Sequence, residues 1–334
     1  MNSEYKLRVS LRLEDAVALV FFLLNLVMKL VFSELRGENL SPADVLIIIP
    51  AVALLMAKEL VHYFVTRSPS EHPDSDLHAF ARPYWEIIRD WTPFLIILMM
   101  YYSLWGDATH LLVTHDRDAA LIAWDQRVFG MQPSVAMQRF VTPALTSWMQ
   151  FSYAFHLFNI PIVASFIYLK RPRLGFREMM CGLLVVSFLG LVGYVLVPAI
   201  GPMYTLHNQY TVGLSTPLAA FNREMEFMDL ARIRRDVFPS LHVGISFVVW
   251  LYAWRNSKRL FWILSPFVLS LWISTVYLRY HYLIDCVAAL ILAPLSYALA
   301  NWLFARFGDL RLAMPLPTGW AERIRRLGWA GRAG

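Results

Sequence analysis

Residues 260–304 read LFWILSPFVLSLWISTVYLRYHYLIDCVAALILAPLSYALANWLF. No charge falls between Leu260 and Leu278, and Asp285 is the sole charge from Tyr282 to Phe304. Each block is close to the roughly 20 residues that a helix rising about 1.5 Å per residue needs to cross a bilayer. Between the blocks stands a short polar hinge, Arg279-Tyr280-His281. The stretch reads as two antiparallel membrane spans that turn at one face.

The same pattern extends outward along the chain. Of 334 residues, 58% are hydrophobic and only 16% charged, with a mean hydropathy of +0.48. A soluble domain of this length carries more charge. Eight spans are expected, near 16–34, 45–65, 93–113, 148–168, 179–198, 238–254, 260–278 and 282–304. The fold class is therefore an all-α integral membrane protein. A polar stretch at 67–79 separates an N-terminal segment and two-helix hairpin (1–66) from a six-helix core (80–304), and a basic tail follows (305–334). Lys29, Lys58 and Glu59 lie near expected span ends, where long side chains snorkel to the interface.

Eight spans put both termini on one side. The segments on that side hold nineteen Lys and Arg, against nine on the other. The positive-inside rule then places the termini in the cytoplasm of an inner (plasma) membrane, with the 199–237 loop at the outer face. The net charge of +6 is explained by basic inner loops beside anionic lipid, so no nucleic-acid partner is implied. The tail segment Glu322-Arg323-Ile324-Arg325-Arg326 reads as lying on the membrane surface. Cys181 and Cys286 are read as buried free thiols.

Two of the nine histidines stand out. His242 opens the sixth span and His281 the eighth, and the 39 residues between them match two crossings of about 20 each. Both imidazoles should therefore lie at one membrane face. Asp285 follows His281 by one helical turn, and Arg234, Arg235 and Arg279 are close in sequence. Phosphoryl transfer through a covalent intermediate uses such a set: one neutral imidazole attacks, a carboxylate orients it, a second imidazole handles the proton, and arginines neutralise phosphate. A zinc site is the rival for two histidines and an aspartate, but surrounding arginines would repel the cation. A transporter or channel using the His/Asp cluster as a proton relay is the other alternative. His156, alone on an apolar helix, reads as an interhelical hydrogen bond.

Pro239-Ser240-Leu241-His242 and the later His281-x-x-x-Asp285 resemble the second and third motifs of the type 2 phosphatidic acid phosphatase superfamily. The leucine, with Leu196-Val197-Pro198-Ala199-Ile200-Gly201-Pro202, is similar to the branch containing inositol phosphorylceramide synthase. The likeness spans roughly residues 85–304. It implies a lipid phosphatase or inositol-phosphotransferase-like enzyme acting through a phosphohistidine, with His281 as nucleophile, Asp285 as its orienter and His242 as acid/base. Ser240 would contact phosphate or simply cap the sixth helix. The implied partners are a lipid in the bilayer and a polar head-group acceptor such as inositol. No metal, cofactor or obligate protein partner is implied. The superfamily's first motif, a lysine with Arg-Pro seven residues on, is not recognisable, and Thr275 stands where an arginine usually precedes the nucleophile. Arg279 and Arg235 are the expected replacements for phosphate binding, with Arg232 expected to matter little.

Overall fold

The computed structural model describes residues 6–36, 46–67, 76–104, 108–170, 173–216 and 232–315. The tail segment 322–326 and most of the 67–79 stretch lie outside the described residues. The described residues are helical apart from one strand pair. The long helices are α1 (Leu13–Arg36), α2 (Ile48–Arg67), α3 (Asp76–Tyr102), α4 (Asp118–Phe129), α5 (Pro143–Ala154), α6 (His156–Leu169), α7 (Leu174–Leu196), α8 (Leu241–Asn256), α9 (Lys258–Tyr277) and α10 (Leu283–Phe307). Strand β1 (Lys6–Leu11) pairs antiparallel with β2 (Leu310–Pro315), Leu7 opposite Met314 and Val9 opposite Leu312.

The all-α class holds, with this short terminal strand pair as an addition that the sequence reading did not expect. Apolar residues alternate with other types in both segments, Leu7, Val9 and Leu11 in the first, Leu310 and Leu312 in the second, which is the period of a strand. The pairing also places the start of α1 and the finish of α10 at one end of the bundle, called here the terminal end. His281, just before α10, and His242, at the start of α8, lie at the opposite end.

Among the described residues four helices, α1, α7, α9 and α10, are long and apolar enough to cross a membrane, and the bent pair α5–α6 adds a fifth if taken as one span. The apolar helices make this an integral membrane protein. The other long helices follow the expected order, with one physical difference. Helix α3 begins at Asp76, well before the expected span at 93, because its first half carries Arg82, Glu86, Arg89 and Asp90. Hydropathy hides that half, since ion pairs shelter its charges: Arg89 grips Glu59 at 3.0 and 2.5 Å, and Asp90 meets Arg12 at 2.7 Å and Arg173 at 3.1 Å.

The expected single span at 148–168 is broken. Helices α5 and α6 meet at Phe155 with a bend of 45°. The break precedes Pro161, which has no N–H for the carbonyl of Leu157 and whose ring crowds that turn.

Helix α7 runs through the centre of the bundle, and α1, α3, α6, α8 and α10 all pack on it. Charged pairs fasten the hairpin to it at the terminal end. Arg177 of α7 reaches Glu14 at 2.9 and 3.0 Å and Asp309 at 2.5 Å, while Lys58 meets Asp15 at 2.6 Å. Lys58 and Glu59 are thus buried in pairs and do not snorkel. Buried pairs of this kind are costly to break and specify which surfaces meet.

Candidate active site

The chain approaches α8 through Phe238-Pro239-Ser240. Ser240, fully buried, is the helix N-cap: its Oγ accepts from the Val243 N–H at 3.5 Å, and its own N–H donates to the Asp285 carbonyl at 3.2 Å. The loop lies directly on α7. A Cβ on Gly193 would come within 2.3 Å of Pro239 Cδ and 3.1 Å of the Phe238 carbonyl, so only glycine admits this approach.

At the hinge after α9, the Thr275 carbonyl accepts from the N–H groups of Tyr280 and His281 at 3.0 and 3.1 Å. Arg279 is left-handed, with φ +68°, an unusual state for a residue with a Cβ. This reversal presents His281 inward and Arg279 outward. The Arg279 guanidinium lies 4.0 Å from the Tyr210 ring centre, and Nη2 donates to the Val212 carbonyl.

His281 is buried, with Nδ1 2.9 Å from the Val237 carbonyl. A carbonyl can only accept, so Nδ1 carries the proton and Nε2 keeps its lone pair. Asp285 stands further off, its Oδ2 3.5 Å from Nδ1 and 2.8 Å from the Tyr282 N–H that it accepts. Burial pushes the His281 imidazole down to about 4, with Asp236 opposing the shift. The ring is therefore neutral at physiological pH.

His242 faces His281 with ring centres 5.8 Å apart. Tyr153 and His156 pack on its other sides at 4.5 and 4.6 Å. The Nδ1 atoms of His242 and His156 have no hydrogen-bond partner among the described residues. The break at Phe155 is what turns His156 to this position, in place of the interhelical hydrogen bond expected of it.

These histidines close one end of a cavity of about 430 Å³ between α3, α6, α7 and α8. Its walls are mainly apolar, from residues such as Phe94, Leu98, Ile160 and Leu191. Helices α3 and α6 touch toward the terminal end, where Tyr168 donates to Asp90 at 3.1 Å and stacks edge-on with Trp91. Toward the histidines they part. Leu95, Leu98 and Leu157 line the cavity yet are 48%, 52% and 56% exposed, so it opens sideways.

Arg232 and Asp236 complete the polar end. Arg232 donates from Nε and Nη2 to Asp236 Oδ1 at 3.1 and 2.7 Å, and Tyr101 holds the other carboxylate oxygen at 2.7 Å. The structure thus gathers His242, His281 and Arg232 around one cavity, with Ser240 and Asp285 supporting the loops. It does not bring Arg279 or Arg235 there. Arg235 donates to Asp116 at 2.7 Å, and His110 contacts the same oxygen at 2.7 Å. Burial alone would raise Asp116, but these two partners hold its carboxyl below the usual range.

Two carboxylates that sequence reasoning passed over brace the hinge. Asp125 of α4 accepts from the N–H groups of Leu283 and Ile284 at 3.0 and 2.8 Å, the first turn of α10. Asp118 accepts from Ile200, Gly201 and the Tyr282 hydroxyl at 3.0, 2.9 and 2.8 Å. Gly201 has φ +100°, and a Cβ there would meet the Tyr280 carbonyl at 3.0 Å. Both carboxylates belong to the short helix α4, where no motif or spacing in the sequence singles them out.

A family model described as the PAP2 superfamily matches residues 119–299, which includes all three histidines of the cavity and Asp285. The chain belongs to the PAP2 superfamily. A curated relative, the phosphoinositol dihydroceramide synthase of Bacteroides thetaiotaomicron, is 27% identical over 58% of this chain and 68% of its own length. No solved structure matches the chain. The match spans Pro239-Ser240-Leu241-His242 and His281-x-x-x-Asp285, and of these residues Leu241, His242 and His281 line the cavity.

Proposed function

We propose that this PAP2 superfamily member is a membrane-embedded phosphoryl-transfer enzyme that acts on a lipid phosphate or phospholipid head group through a phosphohistidine at His281. One observation carries the reading: an apolar, sideways-opening cavity ends at His242, His281 and Arg232. An acyl or alkyl chain fits the apolar walls, and a phosphate fits the polar end.

In the first step Nε2 of His281 attacks phosphorus. The P–N bond forms as the bond to the leaving oxygen breaks, and His242 gives that oxygen a proton. The Val237 carbonyl fixes the attacking tautomer, and Asp285 balances the charge that develops on the ring. Arg232, set by Asp236, neutralises phosphate oxygens with its remaining N–H groups. In the second step an acceptor hydroxyl loses its proton to His242 and attacks phosphorus, freeing His281. Water as acceptor gives hydrolysis, and a polyol such as inositol gives head-group transfer. The name of the curated relative supports a transfer reaction on a sphingolipid-like substrate. In this reading eight spans cross the membrane, with the termini cytoplasmic and the site at the outer face.

The test is incubation of purified protein with a panel of phospholipids and lipid phosphates, with and without inositol. Release of phosphate or a new inositol lipid is expected. Absence of any product from every lipid, by a protein that remains folded, would sink the proposal.

A further inference from the structure

Ser187 of α7 lines the same cavity, is 1% exposed, and its hydroxyl has no hydrogen-bond partner among the described residues. His156 Nδ1, on α6, is in the same condition in the same cavity. Buried polar groups are normally satisfied, because leaving one bare forfeits its hydration without return. His242 Nδ1 is a third such atom at the reacting end, and Ser187 and His156, beside the mainly apolar walls, await partners from whatever fills the cavity.

Their depth is fixed by the packing of α7 on α8. A Cβ on Gly190 would meet Leu241 Cδ2 at 2.3 Å, and one on Gly244 would meet Val186 Cγ2 at 3.4 Å. The two helices run antiparallel, with Gly190 level with Leu241 and Val186 level with Gly244. Ser187, three residues before Gly190, therefore sits roughly 4.5 Å, less than one helical turn, below Leu241 at the start of α8, and roughly 3 Å below the level of His242. His156, in contact with His242, is level with the phosphate end.

We propose that Ser187 and His156 hydrogen-bond the polar linkage of the lipid, the amide, hydroxyl or ester next to its phosphate. The cavity would thereby select lipids carrying such a linkage over plain alkyl or prenyl phosphates. This rests on the reading that the phosphate lies between His242 and His281. A linkage a few bonds below the phosphate falls at the level of Ser187, whereas a plain hydrocarbon chain leaves both groups bare.

The experiment compares phosphate release from ceramide 1-phosphate, phosphatidic acid and hexadecyl phosphate, with matched sixteen-carbon chains. In the unmodified protein, kcat/KM for at least one linkage-bearing lipid should exceed that for hexadecyl phosphate by about tenfold or more. Ser187→Ala and His156→Phe should each reduce that ratio about three- to tenfold, the effect of one lost hydrogen bond. The amide and ester arms show which linkage is read. A ratio near one in the unmodified protein, or variants that slow all three substrates with the ratio intact, would overturn the proposal. Thermal shifts with ceramide, diacylglycerol and hexadecanol probe the same selection without turnover. If no phosphate is released from any of the three, hydrolysis of lipid phosphates is excluded, while the shifts still report on Ser187 and His156. Ser187→Ala should also leave the melting temperature unchanged or higher, since the hydroxyl has no partner among the described residues. A clear fall would reveal one and overturn the assignment.

Discussion

Asp236 holds Arg232 by a single carboxylate oxygen, Oδ1, which accepts from both Nε and Nη2 of the guanidinium. The Nη1 group makes no hydrogen bond among the described residues, yet Arg232 is largely buried beside the two histidines. A fixed cation with free donors at the polar end of an apolar cavity is suited to phosphate.

Arg232→Lys should therefore lower kcat about 100-fold or more with a smaller change in KM, because lysine keeps charge but not the fork. Arg279→Lys and Arg235→Lys should each retain most of their activity, since their guanidinium groups contact Tyr210 and Val212, and Asp116. Steady-state kinetics on one lipid phosphate checks all three. The reverse order would return the clamp to the hinge.

His281→Ala should abolish turnover, and peptide mass spectrometry should lose any phosphate adduct at that position. Asp285→Asn should be milder, about 10- to 100-fold, than the roughly 10⁴ seen when a carboxylate is the sole orienter of a catalytic histidine. The reason is that the Val237 carbonyl, at 2.9 Å, already fixes Nδ1, while Asp285 is 3.5 Å away. A 10⁴-fold loss in a folded Asp285→Asn protein would make the carboxylate the true orienter.

Gly193→Ala should destabilise the protein by about 1–3 kcal/mol and reduce activity with it, as overpacking does in a close interface. The added methyl would lie 2.3 Å from Pro239 and displace the loop that carries Ser240 and His242. Gly213→Ala, with nothing within 4 Å of its Cβ, is the neutral control. Melting temperatures in detergent compare the two.

His207→Cys should react with a membrane-impermeant maleimide in intact cells, whereas Lys258→Cys should react only after permeabilisation. His207 is exposed at the histidine end, Lys258 lies at the opposite end of α9, and the native cysteines are buried. Labelling in the opposite sense would put the site in the cytoplasm.

Much of the helix order was legible because lipid and protein interior both favour apolar side chains, so α7, α9 and α10 read alike from either cause. The first half of α3 was not, since Arg89 and Asp90 are buried by partners on α2 and just before α1 and α7 that no local pattern reveals. At the site, the spacing of His242 and His281 correctly implied one face. The arginines were not legible. Being two residues from His281 says nothing of direction when the backbone at Arg279 reverses, and Arg232 reaches the cavity only through its hold on Asp236.

The sideways opening between α3 and α6 bears on how the protein meets its substrate. A cavity whose lip is formed by Leu95, Leu98 and Leu157 samples molecules diffusing within the membrane plane, not those dissolved in water. The relevant concentration is then the mole fraction of substrate among its neighbouring lipids. Adding inert lipid at constant bulk substrate should slow the reaction as surface dilution does, while enlarging the aqueous volume around the same vesicles should leave the rate per vesicle untouched.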